Sequence, residues 1–166
     1  SIRVLFSCNR YNLNYYYRII IMKKLLLLTL LSINFNAFAV DYTVKMLNQG
    51  TGGVMIFEPA VLKINKGDTV NFVATDAAHN SASLPGMIPA EAETWSSELS
   101  KDISVTFDVE GLYAYQCTPH SVMAMVGVIQ VGENPTNLNE VLSQAESMKG
   151  MFVMNKERLI DYISQL

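Results

Sequence analysis

The chain has 166 residues, two cysteines, two histidines and a formal net charge of −3. The charge is unevenly spread: Arg3, Arg10, Arg18, Lys23 and Lys24 precede position 40 and no acidic residue does, so residues 40–166 hold 7 basic and 15 acidic side chains, a net −8. That balance excludes nucleic acid and anionic membrane surfaces as partners, and the single cysteine of this part, Cys117, excludes a disulfide framework within the chain.

The first methionine is Met22, and from it "MKKLLLLTLLSINFNAFA" runs through two lysines and an apolar stretch to Ala37-Phe38-Ala39. These are the n-region, h-region and cleavage site of a secretory signal peptide. The apolar run over 25–33 is too short for a bilayer span of roughly 20 residues, so no membrane insertion is expected after cleavage. We therefore expect 1–21 to be sequence upstream of the true start and not translated, with a genuine N-terminal extension as the alternative. Residues 22–39 are read as the signal peptide, 40–132 as a β-sandwich and 133–166 as a helical segment. The exported part makes one domain.

From position 41 short strands alternate with turn signals. "YTVKML" (42–47) is followed by the turn "NQGTGG" (48–53), and "VMIFEP" (54–59) by "AVLKIN" (60–65) and the tight turn "KGD" (66–68). "TVNFVAT" (69–75) alternates apolar and polar residues as a half-buried strand does. A long irregular stretch over 76–100 holds the only tryptophan, Trp95. "ISVTFDV" (103–109), "LYAYQ" (112–116) and "VGVIQV" (126–131) complete the strands. This spacing predicts an antiparallel sandwich or barrel. After Gly132 the pattern becomes helical, with Leu138, Val141 and Leu142 on one face and Leu159, Ile160, Ile163 and Leu166 on another. Asn155 is placed to cap the last helix, and Met148, Met151 and Met154 read as packing residues.

The chemistry gathers in "CTPHSVMAM", residues 117–125. Cys117 and His120 stand together with Met123 and Met125 behind them, and His79 follows the 69–75 strand. Every thiol and imidazole of the exported part is thereby recruited. A thiolate, two imidazoles and a weak thioether suit copper: sulfur favours Cu(I), imidazole tolerates both states, and the compromise geometry limits rearrangement on electron transfer. A catalytic zinc site would use Cys117 and both histidines, but thioether is a poor zinc ligand. A cysteine hydrolase would pair Cys117 with a histidine base, but no oxyanion motif accompanies them. A copper carrier or scavenger would use the same ligands as an electron carrier. A binuclear copper centre needs a second cysteine.

"MLNQGTGGVMIFEPA", "GDTVNFVATDAAHN", "GMIPAEAE" and "CTPHSVMAMVGVIQVGENPTNL", with the helical tail, resemble the pseudoazurins, periplasmic type 1 blue copper proteins of the cupredoxin class, over essentially all of 40–166. The resemblance implies an all-β, cupredoxin-like Greek-key sandwich of eight strands with two C-terminal helices packed on one sheet. It implies one copper ion held by His79, Cys117, His120 and Met125, the methionine eight residues after the cysteine being chosen over Met123. It further implies that Asn80 ties the two ligand loops through Thr118 and points its backbone N–H at the Cys117 sulfur. Met55 is expected near the exposed imidazole, and Pro119 stiffens the loop before His120.

The implied function is a periplasmic electron shuttle, not an enzyme and a monomer, passing one electron through the edge of His120. An apolar patch of Pro119, Val122, Met123, Ala124 and Met87 is expected around that edge. The implied partners are nitrite reductase or another periplasmic reductase, with a cytochrome as donor. Two departures stand out. Ser121, Val122 and Ala124 replace the glycines and aromatic residue usual in this loop, which narrows the backbone's freedom. Gln49, Ala77 and Gln116 stand where docking lysines are common, so electrostatic steering towards an acidic enzyme is not carried over.

Overall fold

The computed structural model describes residues 15–24 and 39–166. Residues 15–24 are helical (α1) and belong to a unit separate from the one that begins at Ala39. The expected h-region over 25–33 and the Ala37-Phe38 part of the cleavage site lie outside the described residues. None of the described helices is long and apolar enough to cross a membrane.

The second unit holds eight strands: β1 (Asp41–Gly50), β2 (Gly53–Glu58), β3 (Val61–Ile64), β4 (Thr69–Val73), β5 (Ala82–Ser83), β6 (Ile103–Thr106), β7 (Gly111–Gln116) and β8 (Val126–Val131). They form two four-stranded sheets, ordered β2-β1-β4-β6 and β3-β8-β7-β5. The expected all-antiparallel pairing is corrected at two places, because β1 pairs with β4 and β3 with β8 in parallel. The reason is connectivity. Past Pro59 the chain leaves the first sheet for β3 and then returns for β4, so β4 enters beside β1 from the same end. The return is made through the "KGD" turn, where the buried Asp68 carboxylate accepts from the backbone N–H groups of Val40 and Asn65 at 2.8 and 2.7 Å.

Side-chain parity along β7 and β8 decides where the core lies. Strand residues alternate between faces. Tyr113 and Tyr115 on β7, with Ile129 and Val131 on β8, point between the sheets against Val44, Met46, Phe57, Val70, Phe72 and Phe107. Their aromatic contacts are edge-on, with centroids 4.7 Å apart for Phe57–Tyr115 and 4.9 Å for Phe107–Tyr113, the arrangement the ring quadrupole favours. Leu112 and Ala114, with Val126 and Val128, point the other way and meet the helices α2 (Leu138–Met148) and α3 (Arg158–Ile163) through Val141, Ala145, Leu159 and Ile163. A strand covered on both faces reads as a continuous apolar run, and every residue of β8 is buried.

Three local expectations are corrected. β5 is a two-residue strand inside the stretch read as irregular, and that stretch is anchored by Trp95, which stacks on Phe72 and donates from Nε1 to Ser81 Oγ at 3.0 Å. Asn155 does not cap α3. It adopts a left-handed backbone (φ 51) and its carbonyl accepts from the Arg158 N–H. Met151 and Met154 are exposed, and Phe152 between them takes the buried position. A packing role holds for Met148 alone of the three, which lies against the helix-side core.

Candidate metal centre

The alternation that builds the core also builds the site. Continuing β7 by one step from Tyr115 puts Cys117 on the inner face, and the step before β8 does the same for Met125; both lie fully buried in the inter-sheet core. The Cys117 N–H donates to the Met125 carbonyl at 2.9 Å, so the two residues face each other at the end of the ladder. Between them the loop makes a 3-10 turn over Ser121–Met123 and closes on Ala124, whose φ of 57 is left-handed. Ala124 adopts there a conformation that glycine takes freely, at a cost of about 1–2 kcal/mol for a residue with a Cβ.

His79 arrives from the loop between β4 and β5. Its backbone carbonyl accepts from Ser100 N–H at 2.7 Å, and the neighbouring Ala78 N–H donates to Ser100 Oγ at 2.8 Å. The fully buried ring turns Nδ1 towards Cys117 Sγ, at 3.6 Å, while Nε2 meets Asn48 Oδ1 at 3.0 Å. Asn48 is held in turn through its backbone N–H, which donates to Asp76 Oδ2 at 2.6 Å. His120, partly exposed, places its own Nδ1 at 3.4 Å from the same sulfur, and the two imidazole rings lie 4.8 Å apart.

One ligand atom from each of His79, Cys117 and His120 thus falls within 4.8 Å of the others. An ion about 2.0 Å from each nitrogen and about 2.3 Å from sulfur requires such separations, so the donor set fits a single metal. Nε2 of His79 donates to an amide oxygen, which leaves Nδ1 unprotonated as a ligand must be. Burial, then the neighbouring His120, holds the His79 imidazole below its ordinary pKa, with Asp76 opposing; the neutral form is favoured. Burial pushes the Cys117 thiol up, and the backbone N–H groups of Asn80 and His120 pull it back.

The Asn80 side chain joins the two ligand loops. Its Oδ1 accepts from Thr118 N–H at 2.7 Å, and its Nδ2 donates to Thr118 Oγ1 at 3.2 Å and to the Ser97 carbonyl at 3.3 Å. Pro119 is exposed on the rim. Met55 is partly buried against the inter-sheet core, in a left-handed conformation (φ 48). Met123, the rival thioether, is only partly buried, whereas Met125 is sealed. Of the expected surface patch, Ala124 and Met87 are corrected: both are buried, Ala124 by the closing of the turn and Met87 beneath α2 in the helix-side core. Sequence reasoning missed Asn48, Asp76 and Ser100: Asn48 and Ser100 lie far from any ligand in sequence, and Asp76, three residues before His79, meets the site through its hydrogen bond from Asn48 N–H. Only the fold brings the end of β1 against His79.

A model of copper-binding proteins of the plastocyanin/azurin family matches residues 44–132. The chain belongs to this family of copper-binding proteins, and pseudoazurins are among its relatives, at 39–48% identity. A pseudoazurin-like protein of Rhizobium leguminosarum bv. viciae is 48% identical over 103 residues, covering 62% of this chain and 68% of that one. The pseudoazurin of Paracoccus pantotrophus is 41% identical over 110 residues, covering 66% and 76%. The crystal structure of pseudoazurin from Methylobacterium extorquens AM1 superimposes with a TM-score of 0.67 at 34% identity, covering 75% of this chain and 98% of that one. The protein is a blue copper electron carrier and not an enzyme, with copper as its cofactor.

Proposed function

We propose that the protein shuttles single electrons in the periplasm on one type 1 copper, which His79, Cys117 and His120 would hold, with the Met125 thioether as a weak fourth donor. The observation that carries this reading is the pair of imidazole Nδ1 atoms at 3.6 and 3.4 Å from one buried sulfur. Copper supplies the one-electron change between Cu(II) and Cu(I). The chain's own residues supply rigidity. Cys117 and Met125 stand on adjoining ends of a two-strand ladder, the Asn48 amide fixes the His79 ring, and Asn80 braces the cysteine loop against the His79 loop. Ligands that cannot relax keep the reorganisation small, because neither oxidation state imposes its preferred geometry.

Electrons enter and leave through the His120 edge, the one ligand with access to solvent. The docking face around it consists of Pro119, Val122 and Met123, and it extends to Val153, whose N–H donates to the Val122 carbonyl at 2.8 Å. A small apolar contact suits a weak, rapidly released redox complex. A periplasmic reductase such as nitrite reductase is the acceptor we infer and a cytochrome the donor, with the carrier acting as a monomer. We read residues 22–39 as the signal peptide that exports it, residues 1–21 as preceding the true start, and residues 133–166 as the helical cover of the sandwich domain over 40–132.

Reversible redox titration of the copper-loaded chain tests the shuttle. We expect full oxidation and reduction over many cycles with copper retained. Copper released on reduction, or a couple that does not reverse, favours a copper carrier.

A further inference from the structure

Three consecutive carbonyls of the ligand loop are each bound by one short segment of the C-terminal region. Val122 O accepts from Val153 N–H at 2.8 Å, Met123 O from Asn155 Nδ2 at 3.5 Å, and Ala124 O from Arg158 Nη1 at 2.9 Å. The last contact is unusual in its chemistry. Arg158 is 9% exposed, and no described carboxylate forms an ion pair with it. Its guanidinium instead donates to Ala124 O, to Met55 O at 3.0 Å and to Val54 O at 3.4 Å. A buried cation without a counter-ion is tolerated only where its protons meet converging acceptors, and here the acceptors come from β2 and the ligand loop.

Two of those carbonyls belong to the left-handed residues Met55 and Ala124. Such conformations persist when their surroundings hold them. Ala124 immediately precedes Met125, so the orientation of the Ala124 peptide sets where the Met125 side chain starts.

We propose that Arg158 is a positioning residue of the copper site. Its guanidinium holds the Ala124 peptide and thereby Met125, with residues 153–158 serving as the template on which the ligand loop is set. The proposal rests on the ligand assignment made above. The buried charge acts as well, because a nearby cation disfavours the more positive oxidised metal.

The test uses the full chain with Arg158→Lys, which keeps the charge and loses the planar fork, and Arg158→Gln, which loses both. In the copper-free chains we expect amide hydrogen exchange at Met123, Ala124 and Met125 to accelerate on the order of tenfold or more while the β1 and β4 amides keep their rates, the mark of local opening. In the copper-loaded chains the EPR spectrum changes and the reduction potential moves up in Arg158→Lys as the axial thioether loosens. In Arg158→Gln it lies below that of Arg158→Lys. Loop amides as protected as in the unaltered chain, or spectra that superimpose, overturn the proposal. Uniform acceleration across the domain also overturns it. If neither variant folds, the Arg158 guanidinium protons of the unaltered chain decide: slow exchange upholds the clamp, and exchange as fast as in free arginine overturns it. Failure of the ligand assignment is a separate result, since it leaves the unaltered chain without blue colour whatever the copper-free chains show.

Discussion

Met125 and Met123 differ by two residues and by one physical property. Met125 is sealed in the inter-sheet core beside Cys117, and Met123 sits on the rim of the 3-10 turn. A thioether that favours Cu(II) through weak axial donation lowers the potential. Met125→Leu is therefore expected to keep copper bound and raise the reduction potential, measured by equilibrium redox titration, while Met123→Leu leaves it unchanged. The opposite pattern assigns the axial position to Met123. The residues that chemistry marks, Cys117, His79 and His120, were legible because residues 40–166 hold a single thiol and only two imidazoles. The residues that orient them were not. Asn48 lies 31 positions from His79 and meets it only because β1 runs alongside β4, and a surface asparagine carries no signature of such a role.

At the level of elements, the sequence pattern was sound where a strand had one wet face and blurred where it had none. β1 and β4 alternate visibly, whereas β8 is buried throughout because α2 and α3 cover its outer side. The two-residue β5 was illegible, since nothing so short can show a period. The glycine inside β8 was equally opaque. A Cβ on Gly127 would stand 2.3 Å from the Tyr115 ring that lies across it from β7, so that glycine answers to a residue on another strand. The helices are joined to the sheet by Asn137, whose Oδ1 accepts from Leu112 N–H and whose Nδ2 donates to the Leu112 carbonyl, both at 2.8 Å. Asn137→Ala strips two buried backbone groups of their partners, at about 1–3 kcal/mol each. We expect a loss of about 2–4 kcal/mol in denaturant unfolding, with the blue colour of the folded protein unchanged. A loss of under about 0.5 kcal/mol would show that the helices do not depend on this tie.

The unit over 39–166 presents an acidic surface and an apolar copper end. Residues 40–166 carry a net −8, and Val122, Met151, Val153 and Met154 are exposed in the segments that meet at the ligand loop. A field of that sign draws cations and repels anions, and salt screens it over about 10 Å at 0.1 M. Stopped-flow oxidation of the reduced protein should be faster with a cationic cobalt complex than with an anionic iron complex of equal driving force. The gap should narrow as salt is added. Equal rates at low salt would mean that the copper end is shielded from the net charge.

The account stands on one buried sulfur shared with two imidazoles and a single metal. EPR of the Cu(II)-loaded chain addresses that claim most directly. The prediction is narrow copper hyperfine splitting accompanied by an intense visible thiolate-to-copper band, both abolished in Cys117→Ser. A wide, tetragonal copper spectrum in the unaltered chain, with no such band, would contradict it.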